Sequence, residues 1–185
     1  MIEPTVSVVV PAFNDETHLG QALESLMAQT LGDFEVIVSD DASTDATHEI
    51  ALRFSRSDPR IRVFRNEANL GMTRNWNAGL RQTRGRYVVK LDADDAFRPE
   101  TLFHLLSAMQ SKARPVAAFC RTLSCNDQLE PFASYLGDSA LIRARIDPLE
   151  ARCQNGHAWY GLCFDDIQLW HSNAGMHRRA VLLSM

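Results

Sequence analysis

The segment Val6–Val10, closed by Pro11, constrains the fold more than any other part of the sequence. Its valines do not alternate with polar residues as they would in a half-exposed sheet, so the run fits a parallel strand buried on both faces. Helix and strand signals then follow one another regularly. Leu19, Ala22, Leu23, Leu26 and Met27 recur at helical spacing and form one apolar stripe. Phe34–Val38 reads as a second strand, and Asp45 is placed to cap a helix carrying Ile50, Ala51 and Phe54.

The pattern continues with a short strand at Ile61–Phe64, a polar turn at Asn66–Gly71 and a helix from about Thr73 to Gln82. Tyr87–Leu91 is a fourth strand that runs straight into Asp92-Ala93-Asp94-Asp95. Pro99 suits the first position of a helix with Leu102, Leu105, Leu106 and Met109 on one side. Val116–Cys120 is expected to be a fifth strand. This βαβα order predicts an α/β fold with a mostly parallel, Rossmann-like sheet and helices on both faces.

Beyond Cys120 the rhythm weakens. Asp147-Pro148 reads as a helix start and Asn155-Gly156 as its stop, with a late strand at Gly175–Arg178 and a helix starting at Ala180. Trp159, Tyr160, Phe164 and Trp170 cluster in this part, either packing a loop-rich region or offering a stacking platform. The expected division is a ligand-binding unit over residues 1–120 and a second region over 121–185 that the chain does not complete.

The chain is 185 residues long and 45% hydrophobic, enough for a real core. Its net charge of −4 gives no broad basic field, which argues against a nucleic-acid partner. Basic residues gather between Arg53 and Arg65 and at Arg178-Arg179, where solvated surface is the simplest reading. The start Met1-Ile2-Glu3-Pro4 lacks the marks of a signal peptide, and no apolar run nears the ~20 residues of a membrane span. A cytoplasmic protein is expected, with room for peripheral association with a membrane. Cys120, Cys125, Cys153 and Cys163 form no CxxC pair, and free core thiols are expected.

Ligands of open α/β sheets bind outside the carboxyl ends of the strands, and the polar residues of interest fall there. Asn14 follows strand one, Asp40-Asp41 strand two, and Asp92–Asp95 strand four. Three crowded carboxylates, Asp92, Asp94 and Asp95, repel unless neutralised, and a hard cation such as Mg²⁺ or Mn²⁺ neutralises them while sharing substrate phosphates. A solvated acidic loop is the plain alternative. In Asp40-Asp41-Ala42-Ser43-Thr44-Asp45, a carboxylate can accept from a base N–H, whereas helix capping explains only Ser43 to Asp45. Pro11-Ala12-Phe13-Asn14 leaves backbone open to a nucleobase. Arg74 either reaches phosphate or lies on a helix surface.

Taken together, these segments resemble family 2 glycosyltransferases of GT-A fold. The resemblance rests on Val6–Asn14, Asp40–Asp45, Asn69-Leu70-Gly71 with Arg74-Asn75, and Leu91–Asp95, supported by Ser25–Thr30 and, more faintly, Gly175–Arg179. It implies a nucleotide-sugar donor, with a UDP-sugar expected, and a saccharide or lipid-linked acceptor. It implies that Asp41, with Asp40 second, contacts the base, that Pro11 and Phe13 line the base pocket, and that Arg74 lies near base or diphosphate. Asp92 would approach ribose and metal, and Asp94 would bind Mn²⁺ or Mg²⁺. With Ala12, Asn14 and Ala93 these complete the expected site.

The implied reaction is inverting transfer to an acceptor hydroxyl, with an enzyme base taking its proton. The family pattern puts that base after the late strand, beyond Met185; Asp165 and Asp166 are the late carboxylate pair but do not match it. The competing expectation is a module that binds nucleotide-sugar without turning it over. A dehalogenase-type phosphatase would carry its nucleophilic Asp at the end of strand one, where Pro11-Ala12-Phe13-Asn14 stands instead.

Overall fold

The computed structural model describes residues 3–112, 115–120, 125–129 and 175–183. The helix expected from Pro148, the aromatic cluster at 159–170, Cys153, Cys163, Asp165 and Asp166 lie outside the described residues. Among the described residues, six strands, β1 (Val6–Ala12), β2 (Phe34–Asp40), β3 (Ile61–Arg65), β4 (Tyr87–Lys90), β5 (Ala117–Phe119) and β6 (Gly175–Arg178), form one sheet in the order β3-β2-β1-β4-β6-β5. The helices are α1 (Leu19–Met27), α2 (Thr47–Ser57), α3 (Met72–Arg81), α4 (Thr101–Met109) and the short α5 (Arg179–Leu182).

Strands β1 to β4 pair in parallel, with Val6 opposite both Phe34 and Tyr87. Residues of β1 alternate between the two faces, as a pleated strand must. Val6, Val8, Val10 and Ala12 enter a large core with Leu19, Leu23 and Leu26 of α1, Ala51 of α2, and Leu102 and Leu105 of α4. Val9 faces the other way, with Ile37, Val88 and Leu80 of α3, and Trp76 and Leu182 close the smaller cluster. Both faces are therefore covered, and the valine run at the amino terminus is explained by burial on both sides.

Several local details differ from the sequence reading. Strand β1 does not stop at Pro11 but runs to Ala12. Strand β4 pairs with β1 only as far as Val9, so Pro11 breaks no ladder bond on that side, and pairing with Ser39 and Asp40 continues on the other. Helix α4 begins at Thr101 rather than Pro99, because the Pro99 carbonyl accepts the Thr30 N–H at 2.8 Å. The cap position of α2 is Ala46, while Asp45 accepts the Thr47 N–H from one residue earlier at 3.0 Å. Cys120 is half-buried, but Cys125 is exposed and is no core thiol. Finally, β6 inserts antiparallel between β4 and β5, pairing Tyr87 with Arg178 and Ala117 with His177.

Candidate functional site

The chain moves outward from β1 to β2 and β3, then crosses to β4 on the opposite side of β1. The strand order reverses between β1 and β4, which opens a crevice at their carboxyl ends. The loops after β1 and β4 flank it, and the loop after β2 lies beside it.

After β1, Asn14 takes a left-handed conformation with φ 55°, and its side-chain carbonyl accepts the Thr44 N–H at 2.8 Å. Its own N–H donates to Ser43 Oγ at 3.0 Å. The β1 and β2 loops are thus tied together, and Asn14 acts first as a clamp. Phe13 is 45% exposed, leaving a ring available above the strand end. The next residue, Asp15, was not read as part of the site from sequence. Its carboxylate accepts the Phe13 N–H at 3.1 Å, and its backbone N–H donates to buried Thr47 at 2.7 Å. Burial raises its pKa above the ordinary carboxylate value, and the nearby negative charge of Asp94 raises it further. Two loops therefore bring carboxylates together across the crevice.

After β2, the neighbouring aspartates have different surroundings. Asp40 is fully buried, with Oδ1 accepting the Ser43 N–H at 3.1 Å and Oδ2 lying 3.1 Å from His48 Nδ1 and 3.4 Å from Arg65 Nε. It points into the protein and organises the loop. Asp41 is 1% exposed and accepts three hydrogen bonds. Asn66 Nδ2 and the Leu70 N–H reach Oδ1 at 2.8 and 2.9 Å, and the Gly71 N–H reaches Oδ2 at 2.9 Å. The carboxylate thus fixes the turn before α3, whose first residues present exposed Arg74.

That turn has a second anchor. Buried Asn75 accepts Ser39 Oγ–H at 2.8 Å and Asn66 Nδ2–H at 3.0 Å through Oδ1, and donates from Nδ2 to the Ser39 carbonyl at 2.9 Å. Gly79 lets α3 lie this close, because a Cβ there would meet Val9 Cγ1 at 2.6 Å. An Asn one turn before a Gly on the sheet-facing side of a helix was the available signal.

After β4, Asp92 is half-exposed, Ala93 buried and Asp94 exposed. Lys90 Nζ lies 2.5 Å from Asp92 Oδ1. Residues i and i+2 of an extended segment share a side, so the pair was legible in Lys90-Leu91-Asp92. Asp92 therefore already has a cation beside it. Among the described residues no three His, Cys, Asp or Glu side chains are gathered as a ready-made metal cage. The segment after the acidic turn is held by the end of α1: Ser25 Oγ accepts the Phe97 N–H at 3.1 Å, and Gln29 Oε1 accepts the Leu102 N–H at 3.0 Å. The structure thus gathers Phe13, Asn14, Asp15, Asp92 and Asp94 around the crevice, with Asp41 and Arg74 on the flank and Asp40 directed inward.

Comparison with known proteins adds a family and a fold. The glycosyl transferase family 2 model matches residues 7–180. An uncharacterized glycosyltransferase of Haemophilus influenzae is 28% identical over 156 residues, covering 84% of this chain and 43% of that protein. Among solved structures, S. aureus TarS 1-349 in complex with UDP-GlcNAc superposes with a TM-score of 0.71 at 24% identity, over 97% of this chain and 47% of that one. The mannosyltransferase PcManGT from Pyrobaculum calidifontis, in complex with GDP-Man and Mn2+, gives a TM-score of 0.59 at 26% identity, over 65% of this chain and 36% of that one. The chain thus spans less than half the length of each of these relatives.

Proposed function

Since the chain belongs to glycosyl transferase family 2 and has the GT-A fold, we propose that residues 1–120 bind a nucleotide-sugar donor at the carboxyl ends of β1, β2 and β4. The observation that carries this reading is the strand order, which reverses between β1 and β4 and so sets the loops bearing Asn14, Asp41 and Asp94 at one end of the sheet. Asp41 retains acceptor capacity on Oδ2, suited to the imide N–H of uracil. Phe13 offers a face for the base, Pro11 and Ala12 a backbone floor, and Arg74 a guanidinium for the diphosphate. A UDP-sugar is the donor we favour.

The residues present fit a hard divalent cation. Such ions need only one or two carboxylates when substrate phosphates complete their shell, and Asp94 with Asp92 provides two. Asp94 would hold Mn²⁺ or Mg²⁺, and Asp92 would divide its carboxylate between the ion and Lys90. A bound cation supplies charge stabilisation to the departing diphosphate, of order several kcal/mol. The proposed reaction is inverting transfer to a hydroxyl of a saccharide or lipid-linked acceptor. Residues 121–185 belong, in this reading, to the acceptor side. We place the protein in the cytoplasm with access to a membrane surface; among the described residues no helix is long and apolar enough to cross one.

Calorimetric titration of UDP with and without Mn²⁺ tests the site. Asp94→Ala should abolish the metal-dependent part of the affinity and leave the melting temperature nearly unchanged, because Asp94 is exposed. Unaltered metal-dependent affinity in that variant would refute the assignment.

A further inference from the structure

At the opposite end of the sheet the fold assembles a second charged feature that the donor site does not use. Two arginine-bearing segments far apart in sequence meet there. Pairing of Tyr87 with Arg178, continued by the Arg179 N–H donating to the Arg86 carbonyl at 3.0 Å, sets Arg178-Arg179 beside the turn that carries Arg84 and Arg86. The result is a concavity of about 450 Å³ at the amino ends of β1 and β4, lined by Arg84, Arg86 and Arg179 with Thr5, Gly85 and Ala180. Glu3, also on its lining, is the carboxylate there, and it is exposed.

These guanidinium groups differ from those of Arg60, Arg62 and Arg65. Arg60, Arg62 and Arg65 each face a carboxylate, on Asp58, Glu35 and Asp40. Among the described residues Arg84, Arg86 and Arg179 form no ion pair with a carboxylate. Two of the three are nonetheless held in place. Arg179 Nε donates to Thr83 Oγ1 at 3.0 Å, and Thr83 is buried with its own hydroxyl bonded to the Leu80 carbonyl at 2.7 Å. Arg86 rests over the Tyr87 ring at 5.5 Å. Like charges brought together repel unless a counter-charge joins them.

We infer that this concavity is a binding site for a phosphate-bearing anion, separate from the donor site. Guanidinium forks match phosphate oxygens in pairs, and a hollow of this size suits a small molecule or a headgroup. Strand β1 alone separates it from the donor crevice by roughly 20 Å, so the two sites are distinguishable by mutation. The ligand is either a soluble phosphate compound or the headgroup of an anionic phospholipid.

The test uses the whole chain in EDTA, which removes the cation on which phosphate anchorage at Asp94 depends. Inorganic pyrophosphate is titrated calorimetrically, and flotation is measured with phosphatidylglycerol and with phosphatidylcholine vesicles. The Arg84→Ala/Arg86→Ala double variant should weaken binding by about tenfold or more, while Asp94→Ala leaves it intact. Arg84 contributes its backbone N–H to Glu35, which the substitution retains. Should the double variant melt early, the single Arg86→Gln serves in its place. Saturable pyrophosphate binding lost in the arginine variants supports a soluble ligand. Flotation with phosphatidylglycerol alone, lost in the same variants, supports the lipid headgroup. Absence of binding to both probes, or binding that survives the arginine substitutions, overturns the inference.

Discussion

Replacing Asp41 by Asn changes almost no side-chain volume, so its effect isolates the carboxylate. In the native chain that group accepts from Asn66 Nδ2, the Leu70 N–H and the Gly71 N–H, all within 2.9 Å. In Asp41→Asn the new amide oxygen can keep the two bonds made by Oδ1, now as neutral ones, at a loss of about 1 kcal/mol each. The new NH₂ group then faces the Gly71 N–H, donor against donor, which costs about 1–3 kcal/mol if nothing else satisfies them. Leu70 and Gly71 are exposed, so water reduces that last cost. An amide is also cheaper to bury than a carboxylate. The balance is a loss of about 2 kcal/mol, equivalent to a urea midpoint lowered by roughly 1 M. Amide exchange at Leu70 and Gly71 should speed up more than exchange in β1, and UDP affinity should fall with the loosened turn. A midpoint unchanged from wild type, with Leu70 and Gly71 amides equally protected, would refute the role assigned to Asp41.

Two further expectations concern packing and acid stability. Gly79→Ala should destabilise by about 1 kcal/mol in urea titration, because overpacking of about 1–3 kcal/mol against Val9 outweighs a helix-propensity gain of about 1. Gly20→Ala, with nothing within 4 Å, should be neutral or stabilising; equal effects of the two would contradict the close approach of α3. Burial lowers the pKa of His177 to about 4. The unfolded chain therefore takes up a proton near pH 6.5 that the folded chain refuses, and stability should decline by about 3 kcal/mol between pH 6.5 and 4. His177→Phe, which keeps a ring against Phe119, should flatten that part of the pH profile; an unchanged profile would show that His177 is not the cause.

How much was legible in the sequence follows from how local each signal is. Strands β1 to β4 and the helices between them are written in apolar runs and periodicity, and they emerged within a few residues of their bounds. Strand β6 was located, but its four residues Gly175–Arg178 carry no pattern that reveals an antiparallel strand inserted between β4 and β5. In the site, the acidic residues at strand ends were visible because chain order alone puts them there. Asp15 and Asn66 were not, since their significance depends on partners from 9 to 79 positions away. Asp40 and Asp41 look alike in sequence, yet one turns toward His48 and Arg65 and the other toward the turn before α3. Successive side chains of an extended segment point to opposite sides, which is how these two adjacent aspartates come to have different partners.

In the proposed function the crevice between β1 and β4 receives the donor diphosphate. A crystal of this chain soaked with UDP and Mn²⁺ tests it most directly. The expected result is an anomalous manganese peak within coordination distance of Asp94, diphosphate density beside it, and the uracil ring near Phe13 and Asp41. Manganese and diphosphate bound elsewhere, with the crevice empty, would contradict it.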